Sequence, residues 1–76
     1  MNPIRKAIKL LGGLSATGRV CKVNYAAVRR WRDNGRLPRT ELTGETEYAR
    51  AIAKAVAQQV SVRMLLEQTR KSFAKR

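Results

Sequence analysis

In every apolar segment of this chain the apolar residues return every three or four positions, and no segment alternates for more than a few residues. That period belongs to helices with one buried face, whereas a half-buried strand needs a period of two. The expected fold is all-α, with about five short helices and no sheet. The 76 residues make one domain at most. A domain of that size buries only about 60% of the surface its unfolded chain exposes, so a deep cleft and a large core cannot both be built.

The first segment covers about residues 3–11, with Ile4, Ile8 and Leu11 on one face. Pro3 suits a first helical turn, and Gly12-Gly13 stops the helix. A second, short segment covers about residues 15–22, with Ser15 as its N-cap and Leu14, Gly18 and Cys21 on one side. Asn24 caps a third, which ends at Asn34-Gly35. Ala27, Val28 and Trp31 form its apolar face; Asn24, Tyr25, Arg29, Arg30 and Arg32 lie opposite. Arg36-Leu37-Pro38-Arg39 reads as an extended loop, because the residue before a proline avoids helix. A fourth segment starts near Thr43, with Glu45 and Glu47 at the positive end of its dipole, and carries Tyr48/Ala49, Ile52/Ala53 and Val56 down one face to about Gln59. Ser61 caps the fifth, whose stripe is Val62, Leu65/Leu66 and Thr69. Residues 1–70 then form the domain, and 71–76 a basic tail expected to fray.

The charge narrows the function. Seventeen Lys and Arg face five acids, for a net +12. Residues 1–40 hold +9 of it and residues 41–76 only +3. The first half is therefore the electrostatic footprint and the second half a scaffold. Such a charge needs an anionic partner: nucleic acid, an anionic membrane or an acidic protein. There is no His, so imidazole acid–base chemistry, His-metal sites and triads are excluded. The single Cys21 excludes an intramolecular disulfide and a Cys-rich zinc site, and reads as a small buried hydrophobe. The carboxylates Asp33, Glu41, Glu45, Glu47 and Glu67 lie among basic residues, none in an apolar stretch. The reading is a binding protein, not an enzyme, with no metal, cofactor or small-molecule substrate. Charge at Arg5 and Lys6 comes too early for a secretion signal, and no apolar run approaches the roughly 20 residues that span a bilayer. A reducing, cytoplasmic setting is expected, with no membrane partner.

One spacing carries mechanical meaning: Gly18, Val23, Val28, Trp31. It gives a small residue, an apolar residue in a turn, and two apolar anchors on the next helix. In a helix-turn-helix the small residue lets the second helix cross closely, the turn residue plugs the corner, and the anchors pin the second helix so that its other face projects. The stretch Leu14-Ser15-Ala16-Thr17-Gly18-Arg19-Val20-Cys21-Lys22-Val23-Asn24-Tyr25-Ala26-Ala27-Val28-Arg29-Arg30-Trp31 resembles the helix-turn-helix of Cro-type phage repressors. Gly12-Gly13 before it and Gly35-Arg36-Leu37-Pro38 after it are similar to small phage and antitoxin-type regulators. The family often has Gly where this chain has Lys22, and Ala where it has Gly18.

The resemblance implies a lambda-repressor/Cro-like domain that regulates transcription in a bacterial host, its third helix (about 24–34) in the major groove of a palindromic operator. With the charges, it implies base contacts from Asn24, Tyr25, Ala26, Arg29 and Arg30, Arg29 having a fork that matches guanine O6 and N7. Ser15, Arg19, Lys22, Arg32, Arg36 and Arg39 would hold phosphates. Val60, Val62, Leu65 and Leu66 crowd together and would form a weak homodimer interface stabilised on DNA. The alternatives are a helix-turn-helix antitoxin, which would bind a toxin through its second half, and a small basic RNA-binding protein.

Overall fold

The computed structural model describes residues 2–74. Among them are six helices and no strand: α1 (Pro3–Leu11), α2 (Leu14–Cys21), α3 (Tyr25–Asn34), α4 (Thr40–Thr43), α5 (Tyr48–Ala55) and α6 (Val62–Ala74). The all-α expectation holds, with one helix more than the periodicity suggested.

One core joins five of them, all but α4. Ile4, Ala7 and Ile8 come from α1, Cys21 from α2, Val28 and Trp31 from α3, and Ile52 and Leu65 from α5 and α6. Leu37, Val56 and Val60 enter it from loops. Trp31 is 5% exposed and lies 5.0 Å, centroid to centroid, from the Tyr48 ring in a tilted pair, so the third helix turns toward the core the face that its period assigns.

α2 and α3 pack most closely around the corner at Val23. The Gly18 carbonyl accepts the Val23 N–H at 2.9 Å. A Cβ on Gly18 would stand 2.7 Å from the Val23 carbonyl oxygen, a backbone atom that cannot swing away. The small residue is needed where the spacing placed it. Lys22 takes the left-handed conformation (φ 59, ψ 43) that closes α2, a position where glycine has no steric cost.

Several local expectations change. α2 starts at Leu14 rather than at a Ser15 cap. The chain turns through Gly12 and Gly13, both at positive φ, and the Gly13 carbonyl accepts both the backbone N–H and the hydroxyl of Thr17. That sharp entry leaves Ser15 one residue inside the helix and exposed.

The expected fourth segment is split. Thr40–Thr43 forms its own turn, and α5 begins only at Tyr48 because Glu41 caps it from a distance. The Glu41 carboxylate is buried, 7% exposed. It accepts the Tyr48 and Ala49 backbone N–H groups at 2.8 Å each and the Thr46 hydroxyl. Glu45 and Glu47 precede the helix and leave no acid in its first turn. α5 ends at Ala55, not near Gln59, because left-handed Ala57 and Gln58 reverse the chain and bring Val56 and Val60 into the core.

The last helix continues through Ala74, so Lys71 to Ala74 are helical where fraying was expected. Phe73 is half-buried there and anchors the turn against the 36–39 loop. Lys75 and Arg76, also assigned to the tail, lie outside the described residues.

Two substitutions test this packing. Trp31→Ala removes a buried aromatic and should cost about 3–5 kcal/mol, enough to abolish a cooperative thermal melt in so small a domain. Gly18→Ala improves helix propensity by up to about 1 kcal/mol, yet should lower stability by about 1–3 kcal/mol through overpacking against the Val23 carbonyl. Denaturant titration gives the sign.

Candidate nucleic-acid interface

α3 presents the exposed face. Its N-cap Asn24 and its own Tyr25, Ala26, Arg29 and Arg30 are all exposed, Tyr25 to 56%, while Val28 and Trp31 hold the opposite side in the core. Ala26, Arg29, Arg30, Asp33 and Asn34 line a shallow hollow along it. The five residues expected to read bases therefore stand together.

Two of these side chains already have partners. Asn24 Oδ1 accepts the Ala26 N–H at 2.7 Å, closing the first turn of α3. Reading adenine takes both the amide oxygen and the amide nitrogen; the cap uses one of the two lone pairs of the oxygen and leaves the other, with both amide N–H donors, for a partner. Asp33 lies 3.9 Å from Arg29 Nε and accepts from Arg32 Nε and an Arg32 terminal nitrogen at 3.2 Å each. All three side chains are largely exposed, so these pairs are weak. They aim the guanidinium groups without holding them against a better partner.

α3 is fastened at its far end by residues that sequence reasoning missed. Asn2 caps α1 through Oδ1, which accepts from the N–H groups of Ile4 and Arg5, and donates from Nδ2 to the Gly35 carbonyl at 3.1 Å. Arg5 Nε donates to the Arg32 carbonyl at 2.9 Å and a terminal nitrogen to the Asp33 carbonyl at 3.4 Å. A cation on the last carbonyls of a helix neutralises the negative end of its dipole. Asn before Pro3 is a legible helix start; the reach of Arg5 across to α3 has no sequence signal.

Of the expected phosphate contacts, Arg32 is exposed on α3 beside Asp33, and the other five fall into two groups. Ser15, Arg19 and Lys22 are exposed along α2 and its cap. Arg36 and Arg39 lie on the loop after α3, both over the ring of Phe73, with the loop tied down by Leu37 N–H donating to the buried Thr69 hydroxyl at 3.1 Å. Of the expected dimer residues, Val60 and Leu65 are wholly buried in the chain's own core, because each closes the space between α5 and α6. Val62 and Leu66 are half-buried and keep surface to offer.

Over 42 residues the chain is 52% identical to the 8.4 kDa cro protein of Escherichia phage HK022, covering 55% of each chain. The chain is similar to a phage Cro protein. It spans about half the length of this curated relative. No family model and no solved structure matches. The likeness and the all-helical fold agree with the resemblance that the helix-turn-helix residues carry.

Cys21 lies behind the interface and is buried. Burial pushes its thiol up to about 11, and the Glu41 carboxylate adds to the push. An unfolded thiol ionises near its ordinary value of about 8.5. Between those values the unfolded state has lost its proton and the folded state keeps it, so stability falls as pH rises through that window and is unaffected below it. The loss should reach roughly 2–3 kcal/mol near pH 11. Comparing denaturant midpoints of the native chain and Cys21→Ala at several pH values isolates it, since the variant should lack this part of the slope.

Proposed function

We propose that the protein is a sequence-specific, duplex-DNA-binding transcription regulator of the Cro kind, without catalytic activity, that places α3 in the major groove of an operator. The observation that carries this reading is the single exposed face of α3, basic and backed by Val28 and Trp31, behind a corner closed on Gly18. The similarity to a phage cro protein supports it, as does the +9 of residues 1–40.

In this reading Arg29 is the principal base reader, through a fork to guanine O6 and N7. Arg30, Tyr25 and the Ala26 methyl face neighbouring base edges. Asn24, which caps the helix through one lone pair of its oxygen, reads a base edge or donates its amide NH2 to a phosphate. Arg19, Lys22, Arg32, Arg36 and Arg39 hold phosphates, with Ser15 at the start of α2.

The molecule measures 30 × 25 × 24 Å, less than the roughly 34–36 Å between successive half-sites. One copy fits one half-site, and a two-fold pair fits a palindrome. With Val60 and Leu65 committed to the core, the partner contact falls to Val62 and Leu66. So small an apolar surface makes a weak dimer that DNA stabilises.

Base readers and phosphate holders separate by experiment. On a duplex selected from a random pool, Arg29→Ala should cost about 1–3 kcal/mol and relax preference at one base position, with a smaller effect on unselected DNA. Arg36→Ala should weaken both DNAs alike and make the plot of log K against log salt shallower by about 0.9. Equal losses on both DNAs from Arg29→Ala, with altered base preference from Arg36→Ala, would reverse the proposed orientation of α3.

A further inference from the structure

We propose that Phe73, in the last turn of α6 and far from the helix-turn-helix in sequence, is a positioning residue that preforms a two-arginine phosphate clamp from Arg36 and Arg39; this rests on the duplex-DNA reading. The Phe73 ring centroid lies 4.2 Å from the guanidinium carbon of Arg36 and 4.9 Å from that of Arg39. A terminal nitrogen of Arg36 also donates to the Ser72 hydroxyl at 3.4 Å and its carbonyl at 3.5 Å. Two long cationic side chains thus converge on one aromatic ring. Among the described residues neither has a carboxylate partner; the ion pairs there involve Arg29, Arg32, Arg50 and Arg63.

The negative face of the ring attracts each cation but does not cancel their mutual repulsion. Anionic oxygens at the guanidinium groups do, and a phosphodiester offers the paired oxygens that a guanidinium fork matches. The placement suits a backbone phosphate. Phe73 and Arg36 border a groove of about 310 Å³ whose other wall is the flank of α3 at Ala27, Arg30 and Asn34, so the clamp stands beside the helix assigned to the major groove. The ring contribution is order: two rotamer-rich side chains are gathered before DNA arrives, which lowers the entropy lost on binding.

The test uses a duplex of mixed sequence, because phosphate contacts carry no sequence information. Phe73→Leu keeps both charges and the apolar contact but removes the ring. It should weaken binding about 3- to 10-fold while leaving the salt slope within about 0.3 of the native value; Arg36→Ala and Arg39→Ala each lower that slope by about 0.9. Phe73→Trp should restore affinity. In the Arg36→Ala/Arg39→Ala background Phe73→Leu should change nothing further. In the free native protein, NMR should show the Arg36 and Arg39 side-chain protons moved upfield by the ring.

Native affinity in Phe73→Leu, or an equal loss with the arginines already removed, overturns the clamp while leaving the DNA reading intact. Arginine side-chain protons at unperturbed positions in the native protein overturn it whatever the variants do. A native protein that shows no salt-dependent binding to any duplex ends the DNA reading, and the clamp with it.

Discussion

Everything that places α3 begins with the close approach at Gly18. The helix is ten residues long, too short to persist alone in water, and its exposed face carries cations that repel one another. Its position comes from outside. At the near end the Val23 carbonyl oxygen lies 2.7 Å from where a Cβ of residue 18 would be, a close approach that brings the start of α3 against α2. At the far end Asn2 and Arg5 hold the carbonyls of Arg32, Asp33 and Gly35. Val28 and Trp31 fix the rotation between those ends. A side chain on α3 then projects from a frame with little freedom, as the proposed reading of a base edge would require.

The buried Glu41 does the same for the scaffold. An isolated carboxylate in a core is costly, yet this one faces the N-terminus of α5, where two backbone N–H groups and the Thr46 hydroxyl surround it. Three donors and the positive end of the helix dipole replace the water it lost. α5 carries Tyr48, whose ring supports Trp31, so the cap bears on the back of α3 through one aromatic pair. The thiol of Cys21, raised first by its burial, is raised further by the same charge.

Much of this was legible in the sequence where one element decided its own shape. The buried faces of α1 and α3, the Asn24 cap, the stop at Gly35 and the demand for a small residue at position 18 all follow from period and local backbone chemistry. The helix-turn-helix followed because its spacing is a packing rule confined to about fourteen residues. What escaped depended on distant partners. Glu41 looked like any surface acid, because the N–H groups it caps lie seven and eight residues on. Val60 and Leu65 looked like spare apolar surface, because the turn at Ala57 and Gln58 that buries them uses residues that rarely adopt it. Arg5 was only one charge among the first half's ten basic residues, and Phe73 looked like part of a loose tail; only tertiary packing brings one to the end of α3 and the other against Arg36 and Arg39.

The division of charge explains why the chain needs both halves. A first half of +9 cannot condense on its own apolar residues without a large self-repulsion, and its helices share few carboxylates with which to offset it. The second half contributes the core residues Ile52, Val56, Val60 and Leu65, the Tyr48 ring behind Trp31, the Thr69 hydroxyl that holds the loop and the Phe73 ring that gathers two guanidinium groups. It adds little charge of its own. The scaffold therefore holds the basic residues close together in the folded state, and their mutual repulsion is what binding of the proposed polyanion would relieve.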